Sequence, residues 1–282
     1  MTHRPFDDPS RGALPDRDVL ARIDTTAAHP ARRYNYWLGG KDNFIADRKS
    51  GDRIAEQFPA VVAAARENRA FLGRAVHFLA QQGIRQFLDI GTGIPAPDNT
   101  HEVAQSVAAD SRVVYVDNDP IVLSHARALL TSNQEGAVAY LDRDLRDPAG
   151  ILADLIATLD LRRPVGLLLV AVLHFIAEDE HPAQIVAQFL DALAPGSYLV
   201  LSHGTDDYLS PQQRAAVPKL NAAEAAARFY LRSSNQLADW LTGLDLVDPG
   251  LVSILDWRPT GPPNTTTTAA DIGIYGVVAR KT

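Results

Sequence analysis

The chain has 282 residues, of which 46% are hydrophobic and 22% are charged, and its formal net charge is -7. This length supports one large hydrophobic core and is short for two separate domains. The absence of cysteine excludes disulfides and thiolate metal sites, and the negative charge without a basic block argues against a nucleic-acid partner.

The N-terminal residues 1–30 show no hydrophobic periodicity, and we predict that they form a flexible arm. Their charged residues and prolines leave no apolar core, so they are not a signal peptide. The longest apolar run, VGLLLVAVL from Val165, is far shorter than the roughly 20 residues that cross a bilayer. We therefore expect a cytoplasmic protein that does not enter a membrane.

The spacing of apolar residues changes near Gly83. From about Asp47 to Gly83 the spacing is helical. Short apolar runs follow, and most of them are separated by helix-length segments such as IVLSHARALLTS. These runs are RQFLDI, RVVYVD, AVAYLD, VGLLLVAVL, SYLVLSH, LDLVDPGLV and IGIYGVVAR. This alternation predicts an α/β fold with a Rossmann-like, doubly wound sheet of seven mostly parallel strands.

The end of the chain breaks this alternation. The proline- and threonine-rich stretch between Val252 and Ile272 is too irregular for a crossover helix, so the last strand should be antiparallel. Residues 31–282 then form one domain, with an N-terminal lid at about 31–82 and a helical insertion at about 206–240 that could cover a substrate.

The stretch LDIGTGIPAPDN predicts a strand that ends in a glycine turn. Gly91 and Gly93, with Ala96 in the third place, nearly fit the dinucleotide fingerprint G-x-G-x-x-G/A. Asn99 and Glu102 have the spacing of a reciprocal helix cap, so a helix should begin just after the turn. A lone fingerprint of this kind is weak, because tight glycine turns also occur in α/β proteins without a nucleotide.

Carboxylates follow the next two predicted strands. Asp117 ends RVVYVD, about where a carboxylate would bind the two hydroxyls of a ribose, and Asp142 and Asp144 follow at the same edge of the sheet. Each of them could instead be a solvated turn residue or a cap.

Two ligands fit these features: a nicotinamide dinucleotide and S-adenosylmethionine. Asp89, two residues before the first glycine, is unusual for the former and typical of the latter. Prolines at 95 and 97 do not suit a helix N-terminus that meets a pyrophosphate, and no tyrosine has a lysine four residues later, as a short-chain dehydrogenase requires. The residues therefore favour S-adenosylmethionine.

Several motifs together resemble a known family. FLDIGTGIP, VVYVDNDP, YLDRDLRDP, AVLHFI and APGSYLVLSH are similar, in this order, to the motifs of class I S-adenosylmethionine-dependent methyltransferases. The block ARRYNYWLGGKDNFIADR resembles the S-adenosyl methyltransferase family of actinomycetes. Two departures are visible: Asn35 stands where aspartate is more usual, and IPAP replaces a turn that more often ends in threonine.

The resemblance implies a set of cofactor-binding residues at the strand ends. They are Asp89, Gly91 and Gly93 around the amino acid part of the cofactor, Asp117 at the ribose hydroxyls, Asp144 at the adenine amine, and Asn118 and Leu145 beside the adenine ring.

The block RRYNYWLGGKDNF is predicted to be a hinged lid. Aromatic faces attract the sulfonium cation of S-adenosylmethionine, and the glycines of the block give the segment freedom of movement. We expect Tyr34, Tyr36, Gly40 and Lys41 to contact the cofactor, and Arg33, Lys41 and Asp42 to be able to orient its carboxylate and amine. Fixed packing of the same segment is the alternative.

His174 follows the fourth strand, and it is the predicted catalytic residue. It could accept a proton from an acceptor hydroxyl or amine, although a strand-end histidine is as often only a packed residue. His203 and Asp206 are weaker candidates. A metal site with His101 has no recognised ligand spacing, so we predict no metal.

We expect an enzyme that methylates an oxygen or nitrogen of a small-molecule acceptor. The alternatives are a non-catalytic S-adenosylmethionine-binding sensor or partner protein and an NAD(P)-dependent oxidoreductase. The chain shows VLHF in place of the Asn/Asp-Pro-Pro-aromatic motif of nucleic-acid methyltransferases. The acceptor and the oligomeric state are not predicted.

Overall fold

A computed structural model of the chain describes residues 22–122, 124, 135–224, 227–261 and 267–282. The predicted arm at 1–30 is therefore described only from Arg22 onward. Most of the predicted helix IVLSHARALLTS and most of the loop TGPPNTTTT lie outside the described residues.

One central sheet organises the described residues. Its strands are β1 Gln86–Ile90, β2 Arg112–Asp117, β3 Ala137–Asp142, β4 Gly166–Val170, β5 Tyr198–Gly204, β6 Leu244–Leu246, β7 Val252–Ser253 and β8 Ile274–Lys281. The strand order is β3-β2-β1-β4-β5-β8-β6, and β7 also pairs with β8. Strands β1 to β5 are parallel, and β8 runs antiparallel to β5. The predicted Rossmann-like sheet with an antiparallel last strand is confirmed.

The predicted number of strands differs from the observed one. The single run LDLVDPGLV forms two short strands, β6 and β7, each antiparallel to β8. Pro249 and Gly250 lie between them. Proline has no N–H to donate to a ladder, and Gly250 has a φ of 86°, which is outside the range of a strand.

The helices within the described ranges flank this sheet. They are α1 Pro30–Trp37, α2 Ile45–Gln57, α3 Val61–Gln81, α4 Thr100–Val107, α5 Pro148–Leu155, α6 Pro182–Ala192, α7 Pro211–Ala223, α8 Ser234–Trp240 and α9 Ala269–Ile272. Short 3-10 turns follow β4 at Leu173–Phe175 and Glu178–Glu180. None of these helices is both long enough and apolar enough to span a membrane.

The sheet buries apolar side chains on both faces, as the alternation along each strand requires. Phe87 packs on the face covered by α3 and α4, together with Phe71 and Val113. Leu88, its neighbour in the chain, packs on the opposite face with Ile151 of α5 and Phe189 of α6.

The strand order reverses between β1 and β4. From β1 the chain builds outward to β2 and β3, and it then crosses to β4 and β5 on the other side. Open α/β sheets bind ligands at the carboxyl ends of the strands beside such a reversal. The fold therefore predicts a ligand site at the loops after β1, β2 and β4.

Candidate functional site

A cavity of about 1060 Å³ lies at the carboxyl ends of β1, β2, β4 and β5. Its volume is at the upper end of the roughly 300–1,000 Å³ typical of small-molecule pockets, so two ligands can lie side by side in it. The predicted site residues on its wall are Tyr34, Asp89, Gly91, Gly93, Asp117, Asn118, Asp144, Leu145 and His174. Tyr36, Gly40 and Lys41 are not part of this wall.

The glycine turn after β1 needs its glycines for two different reasons. Gly91 has a φ of 73°, and a Cβ there would lie 2.3 Å from Cγ2 of Val172. Gly93 has a φ of 69°, and a Cβ there would meet no atom within 4 Å. The first glycine therefore permits close packing on the loop after β4, whereas the second leaves open space in the cavity.

The rest of the turn is tied to the helices on either side. The side chain of Glu102 accepts the N–H of Asn99 at 2.7 Å, as the predicted helix cap requires. Arg69 on α3 donates to the carbonyl oxygens of Ala96 and Pro97 and to Oδ1 of Asn99. These bonds hold the unusual IPAP segment in place, and no local sequence pattern points to Arg69.

The carboxylate of Asp117 is buried at the end of β2. One oxygen accepts the N–H of Gly93 at 2.8 Å, and the other accepts the N–H of Asp119 at 2.9 Å. Burial raises the pKa of Asp117 above its usual value, against the effect of these two hydrogen bonds. The carboxylate thus lies on the cavity wall and retains lone pairs that can accept further hydrogen bonds.

Asp89 is 4% exposed and accepts a hydrogen bond from Oγ1 of Thr100 at 2.6 Å. Burial raises the pKa of its carboxyl to about 6. Ionisation of Asp89 therefore costs free energy when no positive group lies beside it. A cationic ligand nearby would favour the ionised form.

Asp144 and Asn118 meet at the outer edge of the cavity. Nδ2 of Asn118 donates to Oδ2 of Asp144 at 2.9 Å, and the N–H of Arg146 donates to Oδ1. Although burial opposes it, these hydrogen bonds hold the pKa of Asp144 below its usual value. Leu145 beside them is buried, so a polar edge and an apolar face lie together at this end of the cavity.

The N-terminal helix α1 is fixed next to β2 by a buried ion pair. Nε and Nη2 of Arg32 donate to the two carboxylate oxygens of Asp119 at 2.8 and 3.0 Å. His29 lies 3.1 Å from the same carboxylate. Burial acts to raise the pKa of Asp119, but the bonds from His29 and Arg32 hold it well below its usual range. Sequence spacing gave no sign of this pair.

Tyr34 takes part in a chain of hydrogen bonds that reaches the sheet. Its hydroxyl donates to the Ala65 carbonyl at 2.8 Å and accepts from Nδ2 of Asn68. Oδ1 of Asn68 accepts from the Ser202 hydroxyl at 2.6 Å, and this hydroxyl accepts the N–H of Ala171. Ala171 has a φ of 54°, which is unusual for a residue other than glycine. The relay therefore stabilises a strained turn directly before His174.

Tyr36, Gly40 and Lys41 have other surroundings. The hydroxyl of Tyr36 donates to Asp52 on α2 at 2.8 Å, and Lys41 is exposed. A Cβ at Gly40 would lie 2.2 Å from Nδ2 of Asn35, so this glycine makes room for a side chain of its own segment. In this conformation a contact of these residues with a cofactor would require the segment to move.

His174 is half-buried and lies on the cavity wall. The N–H of Gly204 lies 3.5 Å from Nδ1, which favours the neutral tautomer with its hydrogen on Nε2. Burial lowers the pKa of His174 well below its usual value, and the nearby His203, Arg33 and Arg232 act in the same direction. The ring is therefore neutral at pH 7 and better suited to donate a hydrogen bond than to take a proton.

His203 has a structural environment. It is fully buried, its Nδ1 lies 2.7 Å from the Gly204 carbonyl, and its Nε2 accepts from Nη1 of Arg232 at 3.0 Å. Arg232 also donates to the carbonyls of Leu173 and Ile176. This cluster joins the segment before α8 to the turn after β4. Asp206 pairs with Arg214 near the surface.

Comparisons with known proteins identify the family of the chain. A family model described as S-adenosyl methyltransferase matches residues 16–282. None of the curated protein sequences compared with the chain matches it.

Solved structures are also similar. A DUF574 family protein from Streptomyces avermitilis has 46% identity and a TM-score of 0.89, with 93% of this chain and 100% of that chain covered. A candidate methyltransferase from Thermobifida fusca has 39% identity and a TM-score of 0.83, with 92% and 96% covered. A magnesium protoporphyrin IX methyltransferase from Synechocystis shares the fold. Its identity is 14% and its TM-score is 0.50, with 89% of this chain and 93% of that chain covered. The match over nearly the whole sequence shows that this chain belongs to the S-adenosyl methyltransferase family, whose cofactor is S-adenosylmethionine.

Proposed function

We propose that this family member methylates an oxygen or nitrogen atom of a small-molecule acceptor. One observation carries the proposal: a single cavity joins the strand-end carboxylates Asp117 and Asp144 to a second region lined by His174 and aromatic side chains. The first region suits a nucleoside-containing cofactor, and the second adjoins it without a wall between them.

The residues present fit the cofactor. Asp117 offers a buried carboxylate for the ribose hydroxyls, and the open space at Gly93 leaves room beside it. Asp144, Asn118 and Leu145 would hold the adenine end. When bound, the cofactor supplies an electrophilic methyl group on a positively charged sulfur. The buried Asp89 carboxyl, with its pKa of about 6, would be ionised by such a nearby positive charge.

The acceptor region suits a molecule of limited size. Its wall comes from α1, from the turn after β4 and from the segment between α7 and α8, with Trp37, Phe175 and Phe229 as examples of each. Walls on three sides limit the access of water and position an acceptor, and positioning is the main contribution that a protein makes to a direct displacement. The net charge of -7 adds no attraction for a nucleic acid.

His174 is the residue best placed to orient the acceptor atom. Its neutral ring presents Nε2–H as a hydrogen-bond donor in the favoured tautomer. General base catalysis by His174 would need the other tautomer, and the lowered pKa makes the ring a weak base. We therefore infer that positioning dominates, and that an acceptor hydroxyl or amine loses its proton mainly to solvent.

Calorimetric titration with S-adenosylhomocysteine and with NAD tests the cofactor. The proposal expects binding of the sulfur compound, and tighter binding of NAD would overturn it. A screen with S-adenosylmethionine labelled in its methyl group then tests catalysis on small phenols, acids and amines, and fragmentation of the product distinguishes oxygen from nitrogen methylation. Cofactor binding without transfer to any acceptor would favour the sensor alternative. His174→Gln should lower turnover while the affinity for S-adenosylhomocysteine stays the same.

A further inference from the structure

Arg33 is a buried cation in the wall of the cavity that the proposed function does not yet use. It is 1% exposed and lies on α1. Nη1 donates to Oγ of Ser50 at 3.1 Å, and Nη2 lies 3.4 Å from the Ala227 carbonyl. Nε is buried and has no hydrogen-bond partner. The edge of the guanidinium that carries Nε–H and Nη2–H therefore holds one long bond only.

The charge of Arg33 is only partly balanced by the protein. The closest carboxylate oxygen belongs to Glu224 and lies 4.0 Å from Nη1. Glu224 is shared, because Nη1 of the more exposed Arg53 also donates to it. Burial lowers the pKa of Arg33 to about 10 in spite of Glu224 and Asp47. An additional anion beside the guanidinium would offset this cost of burial.

Three aromatic rings surround the guanidinium. Its central carbon lies 5.5 Å from the ring centre of Trp37, 6.0 Å from that of Phe175 and 5.4 Å from that of Phe229. All three residues line the cavity, as do Phe58 and Tyr208. Aromatic faces stabilise the cation but accept no strong hydrogen bond, so they leave its unpaired N–H without a partner.

The position of Arg33 separates it from the predicted cofactor contacts. Its partners lie on α1, on α2, in the turn after β4 and in the segment between α7 and α8. None of its described hydrogen bonds or ring contacts reaches Gly91, Gly93 or Asp117. Phe175, one of its three rings, directly follows His174. Arg33 thus belongs to the acceptor end of the cavity.

Resting on the proposed function, we propose that the methyl acceptor is a planar aromatic acid whose carboxylate binds the Nε–H and Nη2–H edge of Arg33 when the side chains that cover this buried edge move aside. A carboxylate matches the planar fork of an arginine, which can bind it through two parallel hydrogen bonds. The surrounding rings provide an apolar surface for the flat body of such an acid.

Binding of salicylate and salicylamide to the full chain saturated with S-adenosylhomocysteine tests this proposal. The two probes have the same ring and differ in one negative charge. We expect salicylate to bind at least about tenfold more tightly than salicylamide, the scale of one charged hydrogen bond. Arg33→Gln should abolish this preference. Arg214→Gln, which removes an exposed arginine on α7, is the control and should keep the preference.

A second measurement uses the wild-type protein, so it does not require the Arg33→Gln variant to fold. The buried Nε–H of Arg33 should give a slowly exchanging nitrogen-15 NMR signal that shifts with salicylate and not with salicylamide. Equal affinity for the two probes, or no binding of either at millimolar concentration, would overturn the proposal while leaving the proposed function intact.

The cofactor also carries a carboxylate, so a further comparison is needed. Methylthioadenosine lacks the amino acid part of S-adenosylhomocysteine. If Arg33→Gln weakens the binding of S-adenosylhomocysteine but not that of methylthioadenosine, Arg33 binds the carboxylate of the cofactor and the proposal is wrong. If the wild-type protein fails to bind S-adenosylhomocysteine at all, the proposed function itself fails.

Discussion

The carboxylate of Asp117 accepts the N–H of Gly93 at 2.8 Å, so the end of β2 fixes the glycine turn that follows β1. The second oxygen binds the N–H of Asp119, and Asp119 in turn holds Arg32 of α1. One carboxylate thus links the predicted ribose site, the glycine turn and the segment before the sheet.

Asp117→Asn should weaken binding of S-adenosylhomocysteine. Asparagine keeps one acceptor oxygen for the glycine turn but loses the charge that would bind two ribose hydroxyls. We expect a loss of about 1.5–3 kcal/mol in binding free energy, measured by calorimetry. Asp142→Asn, at the end of the neighbouring strand, is the control and should change little. An unchanged dissociation constant for Asp117→Asn would place the ribose elsewhere.

Gly91→Ala and Gly243→Ala should have different effects on stability. Both glycines have positive φ values, 73° and 84°, so alanine brings similar backbone strain at each position. Only at Gly91 would the new Cβ meet Val172, at 2.3 Å. We expect Gly91→Ala to lose about 1–3 kcal/mol more in free energy of unfolding than Gly243→Ala, by urea denaturation. Equal losses would mean that Val172 moves aside without cost.

The raised pKa of Asp89 predicts a pH-dependent stability. The folded protein binds a proton at Asp89 more tightly than the unfolded chain, whose carboxyl has the usual pKa of 3.8. The stability from this group is therefore complete below pH 3.8 and is lost as the pH rises through about 6. The shift corresponds to about 3 kcal/mol.

Asp89→Asn should remove this dependence. The difference in unfolding free energy between the wild-type protein and the variant should fall by about 3 kcal/mol from acid to neutral pH in the absence of cofactor. Denaturation curves of both proteins at a series of pH values measure it. A constant difference across that range would show that Asp89 has an ordinary pKa.

The Arg32–Asp119 pair should stabilise the protein more than the Arg22–Asp142 pair. Arg32 and Asp119 are buried, whereas the side chain of Arg22 is 50% exposed. Arg32→Met leaves a buried carboxylate with only His29 nearby, so we expect a loss of about 3–5 kcal/mol. Arg22→Met should cost less than about 1 kcal/mol. Thermal or urea unfolding of the two variants gives the comparison, and similar losses would contradict the buried-pair argument.

The segment 33–44 remains a predicted lid. If it closes over the cofactor, S-adenosylhomocysteine should slow amide hydrogen exchange there more than in the control segment 242–250. Tyr36→Ala should then reduce cofactor affinity with little change in stability, since the side chain of Tyr36 is half-buried and its hydroxyl donates to Asp52 on the surface. Equal exchange with and without ligand, together with a loss of about 3–5 kcal/mol in Tyr36→Ala, would show fixed packing instead.

The sequence was most informative at the strand ends. The glycine turn, Asp89, Asp117 and Asp144 could be placed because each lies at or near the end of an apolar run whose direction in a parallel sheet is fixed. The division between β6 and β7 was also visible in principle, since the dipeptide Pro249–Gly250 interrupts the run.

Contacts between distant parts of the chain were not predictable in the same way. Arg32 and Asp119 are 87 positions apart, and Asn68 and Ser202 are 134 apart. No local pattern of charge or periodicity identifies such partners. Gly40 shows a related difficulty, because a glycine beside aromatic residues suggests a hinge, whereas the room that it makes for Asn35 is visible only in the structure.

The packing of α3 has a consequence for synthesis of the protein. Phe71 of this helix contacts Trp257 edge to face at 5.5 Å, and Arg74 donates to the carbonyls of Ile254 and Trp257. A nascent chain therefore makes α3 long before Ile254 and Trp257, which cover one side of it, leave the ribosome. During that interval the side of Phe71 that Trp257 later covers faces solvent or a chaperone, and a chain that stops before Trp257 leaves that side open.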